Sequence, residues 1–424
     1  MDGFEATVAA IWRVEAPRLV ARLTRLVGDL AVAEDIAQDT FVTALGRWPA
    51  TGIPDNPGGW LWSAARFGAI DLLRRRDRQR DKYQTLGVSP DKVDTDMDLI
   101  VEERDMGDDL LGLIFMTCHP VLGPEARVAL TLRSVGGLTT AEISKAYLTS
   151  EATMAQRIVR AKRALTTAGV RFELPDRRER AARLASVMEV IYLIFNEGYV
   201  ATAGDQWVRA DLCTEAMRLG RVLSGLVPDN PEVLGLVALM ELQASRLRAR
   251  TGPDGQAIPL ADQDRTRWDR LLIRHGLNAL SRADSLDGGR GPYVLQAKIA
   301  ACHARASSLD ATDWVLMAAT YDTLSLVAPS PVVELNRAVA LGMAYGAAAG
   351  LALADQLVAV PALCTNHLLP AVRGELLHRL GRHQEAHDEF QRAAALTDNE
   401  PERHTLLGRA RDCAGHDTPH AGVG

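Results

Sequence analysis

The chain has 424 residues, 47% hydrophobic and 24% charged, which is too long for one ordinary core and too apolar for wholesale disorder, so two or three packed domains are expected. No apolar run approaches the roughly eighteen residues of a membrane span, the nearest being 341–354, and residues 1–10 lack the basic start and apolar middle of a secretion signal, so a cytoplasmic location without membrane contact is expected. The net charge of -6 argues against an evenly basic surface, but the charge is segregated: seven Lys/Arg against three Asp/Glu in 60–82, nine acidic against two basic in 91–109, and eight basic against three acidic in 125–171. That order suits two DNA-contacting modules joined by an acidic strap, with a solvated surface as the alternative.

Apolar residues recur at three- and four-residue spacing almost everywhere, while two-residue alternation is rare, so an all-α fold is expected. The spacing predicts helices over 4–27, 31–47, 59–80, 110–118, 124–135, 140–147 and 150–169. Between them, TGIPDNPGG (51–59) reads as turn chemistry and 86–98 as flexible. A boundary falls at FELPDRRER, and an Ala/Leu-rich helical region follows over 177–413, with a PDG-bearing loop at 251–260 and several helix pairs. In the last pair Gly374, Leu377, Gly381, Ala386, Phe390 and Ala393 have the small and aromatic spacing of a tetratricopeptide (TPR) repeat, in which small residues admit an antiparallel neighbour. Ala338, Gly350 and Ala354 form a fainter copy, and an irregular helical bundle is the alternative.

Three blocks carry candidate function. In LTTAEISKAYLTSEATMAQRIVRAKRAL (138–165), Thr139 or Thr140 caps one helix and Ser150 a second, with Ile143, Ala146, Met154, Ile158 and Leu165 inward. This is helix-turn-helix patterning, and it leaves Glu151, Thr153, Gln156, Arg157 and Arg160 to solvent, residue types that reach base edges and phosphates. In GGWLWSAARFGAIDLLRRRDRQR (58–80), Leu61, Ala65, Gly68 and Leu72 share one helical face. Trp60, Ala64, Phe67, Asp71, Arg75 and Arg78 share another, where rings could stack on unpaired bases and guanidiniums hold the backbone. In AEDIAQDTFVTALGRW (33–48), Asp35, Gln38, Asp39 and Val42 share a face that, standing alone, reads as a solvated amphipathic helix.

Taken in order, DIAQDTFVTAL resembles region 2.2 of bacterial sigma factors, GWLWSAARFGAIDLLRRR regions 2.3 and 2.4, and 138–165 region 4.2. The resemblance is to the extracytoplasmic-function group of the sigma-70 family, and MTCHPVLGPEARVALTLR, YLIFNEGY and DQDRTRWDRLLI extend it to the subgroup with a long TPR-containing C-terminal extension. It implies sigma domain 2 over 1–84, an acidic flexible linker over 85–109, sigma domain 4 over 110–172, a helical extension over 177–413 and a disordered tail over 414–424. By the same resemblance, Asp35, Gln38, Asp39 and Phe41 dock on the beta-prime coiled coil of core RNA polymerase, whose beta flap is a further contact. Trp60, Trp62, Arg66, Phe67, Asp71, Arg74 and Arg75 lie at the minus-ten element of promoter DNA. Thr153, Gln156, Arg157 and Arg160 face the minus-thirty-five element. Phe67 stands where many relatives carry asparagine, and Ala155 where lysine is common.

Cys118, Cys213, Cys302, Cys364 and Cys413 are scattered without a CxxC, so reduced, mostly buried thiols are expected. Neither adjacent Cys118 and His119 nor His378, His383 and His387 have metal-site spacing, and no metal or cofactor is expected. NEGYVATAGDQW (196–207) and ADQDRTRWDR (261–270) read as helix junctions with buried salt bridges, or else as a ligand or partner pocket. The resulting expectation is a non-enzymatic transcription initiation subunit whose extension regulates it in cis and takes a protein or peptide partner. A ligand-sensing helix-turn-helix regulator is the alternative, and an enzyme with its active site in 177–413 lacks a catalytic set.

Overall fold

The computed structural model describes residues 2–84, 106–147, 149–199, 210–252, 258–364, 366–397 and 400–415. The flexible stretch expected at 86–98, most of the expected linker and the tail from 416 onward lie outside them. The fold is all-α as expected, with nineteen α-helices and no β-strand among the described residues. It divides into two compact units, Met1–Glu197 with Thr214–Leu226, and Gly198–Cys213 with Val227–Gly424.

In the first unit, α1 (Asp2–Val27), α2 (Leu30–Thr51) and α3 (Pro57–Gln84) pack around Leu23, Ala33, Ala37, Ala44, Trp48, Leu61 and Ala65. Asp29 starts α2 by accepting from the Ala31 and Val32 amides at 2.8 and 3.1 Å, which satisfies donors the helix leaves open. In the turn TGIPDNPGG, Asn56 does the same for α3 through the Gly59 amide at 2.9 Å. Helix α4 (Met106–Thr117) starts earlier than the expected residue 110. The acidic end of the preceding segment is drawn inward, where Asp109, only 4% exposed, pairs with Arg25 of α1 at 3.3 Å.

Next come α5 (Pro124–Ser134), α6 (Thr140–Ala146) and α7 (Glu151–Thr167). Thr139 caps α6 reciprocally with Glu142, its amide giving to Oε2 at 2.7 Å while Glu142 N–H gives to Thr139 Oγ1 at 3.1 Å. Ser150 caps α7 by accepting from the Thr153 amide at 3.1 Å, and Ile143, Met154, Ile158 and Leu165 are buried as their spacing demands. Helix α8 (Arg177–Tyr199) buries Val187, Val190, Ile191, Ile194 and Phe195, an i, i+3, i+4, i+7, i+8 stripe worth roughly 1.5–3 kcal/mol per large side chain. Its polar side meets α4 and α5. Arg183 donates to the Phe115 carbonyl at 3.0 Å, Ser186 to the Cys118 carbonyl at 2.9 Å, and Arg127 to Ser186 Oγ at 2.5 Å and Glu189 at 3.1 Å. Helix α9 (Ala210–Leu226) adds Arg218, which donates to the Val135 carbonyl at 3.0 Å.

The second unit holds α10 (Pro231–Ala244), α11 (Arg270–Ser285), α12 (Pro292–Arg305), α13 (Trp314–Val327), α14 (Pro331–Tyr345), α15 (Ala347–Gln356), α16 (Pro361–Cys364), α17 (Leu368–Arg379), α18 (His383–Leu396) and α19 (Glu400–Gly415). Successive helices pack on one another, and the close approaches fall at the expected small residues. A Cβ on Gly374 would meet the Phe390 ring at 2.9 Å, and one on Gly350 the Ala338 carbonyl at 2.5 Å, so any larger residue would push the pair apart. Leu377, Ala386, Phe390 and Ala393 fill the space between α17 and α18.

Candidate polymerase and nucleic-acid interface

Helix α2 has two faces. Leu30, Ala33, Glu34, Ala37, Thr40, Ala44 and Trp48 are buried, and Asp35, Gln38, Asp39 and Val42 are exposed together, with Val42 66% and Leu45 40% exposed. Two carboxylates, an amide and two aliphatic side chains therefore face solvent, a composition suited to a charged partner helix. Phe41 does not join them. It is half-buried and stacks on Trp12 of α1, ring centroids 4.3 Å apart at 24°, so it fixes α2 on α1.

On α3, Leu61, Ala65 and Ala69 are buried. Gly68, placed by spacing on one face with Leu61 and Ala65, is exposed, because the buried i, i+4 stripe from Leu61 runs through Ala65 to Ala69. Trp60 and Trp62 are half-buried. The Trp60 ring meets the buried Trp48 edge-on at 5.4 Å, and the Trp62 ring lies 3.9 Å beneath the Arg22 guanidinium, which burial holds below its ordinary pKa. Phe67 is 76% exposed, Arg66 is half-buried and Asp71 and Arg74 are exposed. The Arg75 side chain lies outside the described residues. Phe67 is thus the fully presented ring of this block, flanked by charge.

On α7, Thr153, Gln156 and Arg160 are exposed on one face. Arg157 pairs with Glu125 of α5 at 2.8 Å; at 30% side-chain exposure for the arginine and 77% for the glutamate, such a pair is worth about 0–1 kcal/mol.

Glu34 and Lys162 were not singled out from the sequence. Glu34 accepts from Ser134 Oγ of α5 at 2.5 Å and is ion-paired to the Lys162 ammonium of α7, so one buried carboxylate ties α2 to the helix-turn-helix. Its signal was its place on the apolar face of α2 with Leu30, Ala37 and Ala44, since a charge on a buried stripe needs a partner. Lys162 of α7 is that partner.

The other polar clusters serve packing. Cys118 Sγ contacts Thr131 Oγ1 at 3.3 Å, His119 Nδ1 accepts from the Val121 amide at 3.1 Å, and His387 Nδ1 contacts the Ala410 carbonyl at 2.8 Å. No group of three or more His, Cys, Asp or Glu suited to a metal ion occurs among the described residues, and no helix there is long and apolar enough to cross a membrane.

Residues 11–79 match Sigma-70 region 2, residues 113–165 match Sigma-70, region 4, and residues 183–284 match a family of unknown function (DUF6596). The chain is 42% identical over 393 residues to "Uncharacterized protein R00370" of Rhizobium meliloti (strain 1021), covering 91% of each. It is 27% identical over 180 residues to "Probable ECF RNA polymerase sigma factor SigI" of Mycobacterium tuberculosis (strain ATCC 25618 / H37Rv), covering 42% of this chain and 61% of that protein. With "ECF RNA polymerase sigma factor SigJ" of the same organism the identity is 31% over 150 residues, 34% of this chain and 45% of that one. No solved structure matches. The region 2 match covers the helices that present Asp35, Asp39 and Phe67, the region 4 match ends on the helix that presents Gln156 and Arg160, and the chain belongs to the extracytoplasmic-function group of the sigma-70 family, with a C-terminal extension beyond both regions.

Proposed function

We propose that the chain binds core RNA polymerase through the exposed Asp35, Gln38, Asp39 and Val42 face of α2, docking on the beta-prime coiled coil, while the region 4 helices meet the beta flap. Helix α3 then engages the minus-ten element, with Phe67 the ring best presented for stacking on an unpaired base and Trp60 and Trp62 supporting it from within. Helix α7 reads the minus-thirty-five element through Thr153, Gln156 and Arg160, and Arg157 joins once it leaves Glu125. The role is not catalytic, since polymerase supplies the chemistry. The single observation that carries this reading is the joint exposure of the α2 acidic face and the α7 polar face, each inside its matching sigma region.

In the same reading the extension acts in cis. Its first helix, α8, is held on α4 and α5 by Arg183, Ser186 and Arg127, which supports regulation through direct contact with the sigma portion. The TPR-like pairs α14–α15 and α17–α18 would supply a groove for a ligand or partner segment. Opening is also required. Two promoter elements about 25 base pairs apart lie on the order of 85 Å apart at about 3.4 Å per base pair, whereas a compact unit of about 210 residues has a radius of gyration near ~17 Å.

Transcription with purified core polymerase tests the reading, comparing the whole chain with a version ending after Leu226, which keeps every helix of the first unit. Promoter-specific transcripts are expected from the whole chain, with altered output from the shortened one. Absence of transcripts alongside tight duplex binding would instead favour a stand-alone helix-turn-helix regulator.

A further inference from the structure

In the second unit α11 turns Ile273, Gly276, Leu280 and Ala283 inward. A Cβ on Gly276 would meet the Leu242 side chain at 2.8 Å and the Ala238 carbonyl at 3.2 Å, so α11 lies tight against α10 and its rotation is fixed. The row this leaves outside, at four-residue steps, is Arg270, Arg274, Asn278 and Arg282, all exposed. Residues 270–282 contain no Asp or Glu. At 1.5 Å per residue the row is about 18 Å long, with a step of about 6 Å. Arg248 and Arg267, also exposed, border one open hollow with Arg270 where the row begins.

Arginines elsewhere in the same unit are neutralised: Arg337 by Asp322 at 2.6 Å, Arg373 by Glu389 at 3.1 Å, Arg379 by Glu375 at 2.9 Å and Arg403 by Glu400 at 2.6 Å. None of the five arginines on and before α11 has a carboxylate within ion-pairing distance among the described residues. The nearest acids in sequence are engaged otherwise. Asp264 accepts from the Thr266 amide and hydroxyl, Asp269 caps α11, and Asp284 holds Lys298 at 2.7 Å. By sequence, 248–282 carries seven arginines against four aspartates with 253–257 included, and 200–209 adds one of each sign. The surplus is therefore real in a chain whose net charge is -6.

A row of unpaired guanidiniums attracts a polyanion, whose condensed counterions are released on contact. Arginine forks suit phosphate oxygens, and the major groove, about 12 Å wide, admits an α-helix. The face lacks what other partners need. Leu271 is its one exposed large apolar side chain, whereas protein interfaces have an apolar and aromatic centre. Helix α11 contains no Phe, Tyr or Trp on which the bases of a single strand could stack. We infer that the outward face of α11 is a further duplex-DNA contact, in which Arg270, Arg274 and Arg282 grip backbone phosphates without reading sequence and Arg248 and Arg267 extend the track. The contact lies outside both matched sigma regions and stands on the second unit alone.

The test is fluorescence anisotropy of the full chain with a labelled duplex of unrelated sequence across a salt series. Replacing Arg270, Arg274 and Arg282 together by Gln should reduce the slope of log K against log salt by about 2.7, three contacts at about 0.9 each. The same three positions as Lys keep the charge and should keep the parent slope. The fall should be equally large in an Arg160→Ala background, so that a contact made by α7 is not mistaken for one made by α11. Circular dichroism checks that each variant is folded. No measurable duplex binding by the parent, equal slopes for the parent and the folded Gln variant, or a Lys variant that loses the slope as well would overturn the inference. An unchanged slope with weaker binding of poly-L-glutamate would assign the face to an acidic protein segment and overturn it too.

Discussion

Glu34 and Lys162, 128 positions apart, form an ion pair that joins α2 to α7, its carboxylate buried and its ammonium partly exposed, with Ser134 of α5 as third partner. Removing one member of a fully buried pair costs about 3–5 kcal/mol, because the other is left charged and poorly solvated, and the exposed edge of Lys162 puts this pair toward the lower end of that range. That is a large fraction of the roughly 5–15 kcal/mol by which domains are stable. Glu34→Ala should therefore separate the region 2 helices from the region 4 helices, seen as a larger radius of gyration in X-ray scattering. Glu34→Met with Lys162→Met should restore the parent value, since an apolar pair of similar volume needs no counter-charge. Identical scattering from the parent and folded Glu34→Ala would show that other contacts hold the two together.

Reversing Asp35 and Asp39 to Lys should weaken pull-down of core polymerase by about tenfold or more through like-charge repulsion. Both side chains are exposed, so the stability cost should stay within about 0.5 kcal/mol. Phe41→Ala is the contrasting variant. Losing its stack on Trp12 should lower the melting temperature of the first unit as well as polymerase binding. Equal capture of core polymerase by folded parent and double-Lys chains would remove the α2 face from the interface.

For the upstream element, Arg160→Ala should reduce the slope of log K against log salt by about 0.9, the value for one phosphate contact. Glu125→Gln should do the opposite at low cost, releasing Arg157 from its 2.8 Å pair and strengthening DNA binding. Filter binding or fluorescence anisotropy across a salt series measures both. A Glu125→Gln chain no tighter than the parent would show that Arg157 never turns to the DNA.

Short-range chemistry was the legible part. Ser150 caps the helix it was expected to cap, and of the two candidates Thr139 and Thr140 it is Thr139 that caps the other, because each acts within three residues; Gly374 meets Phe390 because a small residue faces a ring across one helix pair. Long-range partners were not. Nothing near Glu34 names Lys162, nothing near Phe41 names Trp12, and the polar side of α8 gives no hint that Arg183 seeks the Phe115 carbonyl. Trp60 shares a face with Phe67 by spacing and Trp62 joins the minus-ten set by resemblance, yet Trp48 and Arg22 claim the two tryptophan rings. At ADQDRTRWDR the junction reading describes the backbone, with Asp269 capping α11 through the Leu271 and Leu272 amides at 2.9 and 3.1 Å.

The last prediction concerns His303, whose imidazole is pushed down to about 4 by burial and by the charges of Arg246 and Arg265, against an ordinary value of 6.5. Above pH 6.5 the ring is neutral in both folded and unfolded chains and contributes no pH dependence. Between pH 6.5 and about 4 the unfolded chain binds a proton that the folded one refuses, so stability of the second unit falls as the pH drops through this window and levels off below it. At 1.36 kcal/mol per unit the full effect is on the order of 3 kcal/mol. His303→Gln cannot take up that proton and should flatten the fall. Hydrogen exchange of α12 amides at a series of pH values, corrected for intrinsic rates, measures it for both chains, and the difference isolates the imidazole from Glu232, whose carboxyl is raised by burial and contributes with the opposite sign. Parallel pH profiles for the two chains would mean that the folded protein accommodates a protonated His303, and that the positive cluster around Arg246 is weaker than its geometry implies.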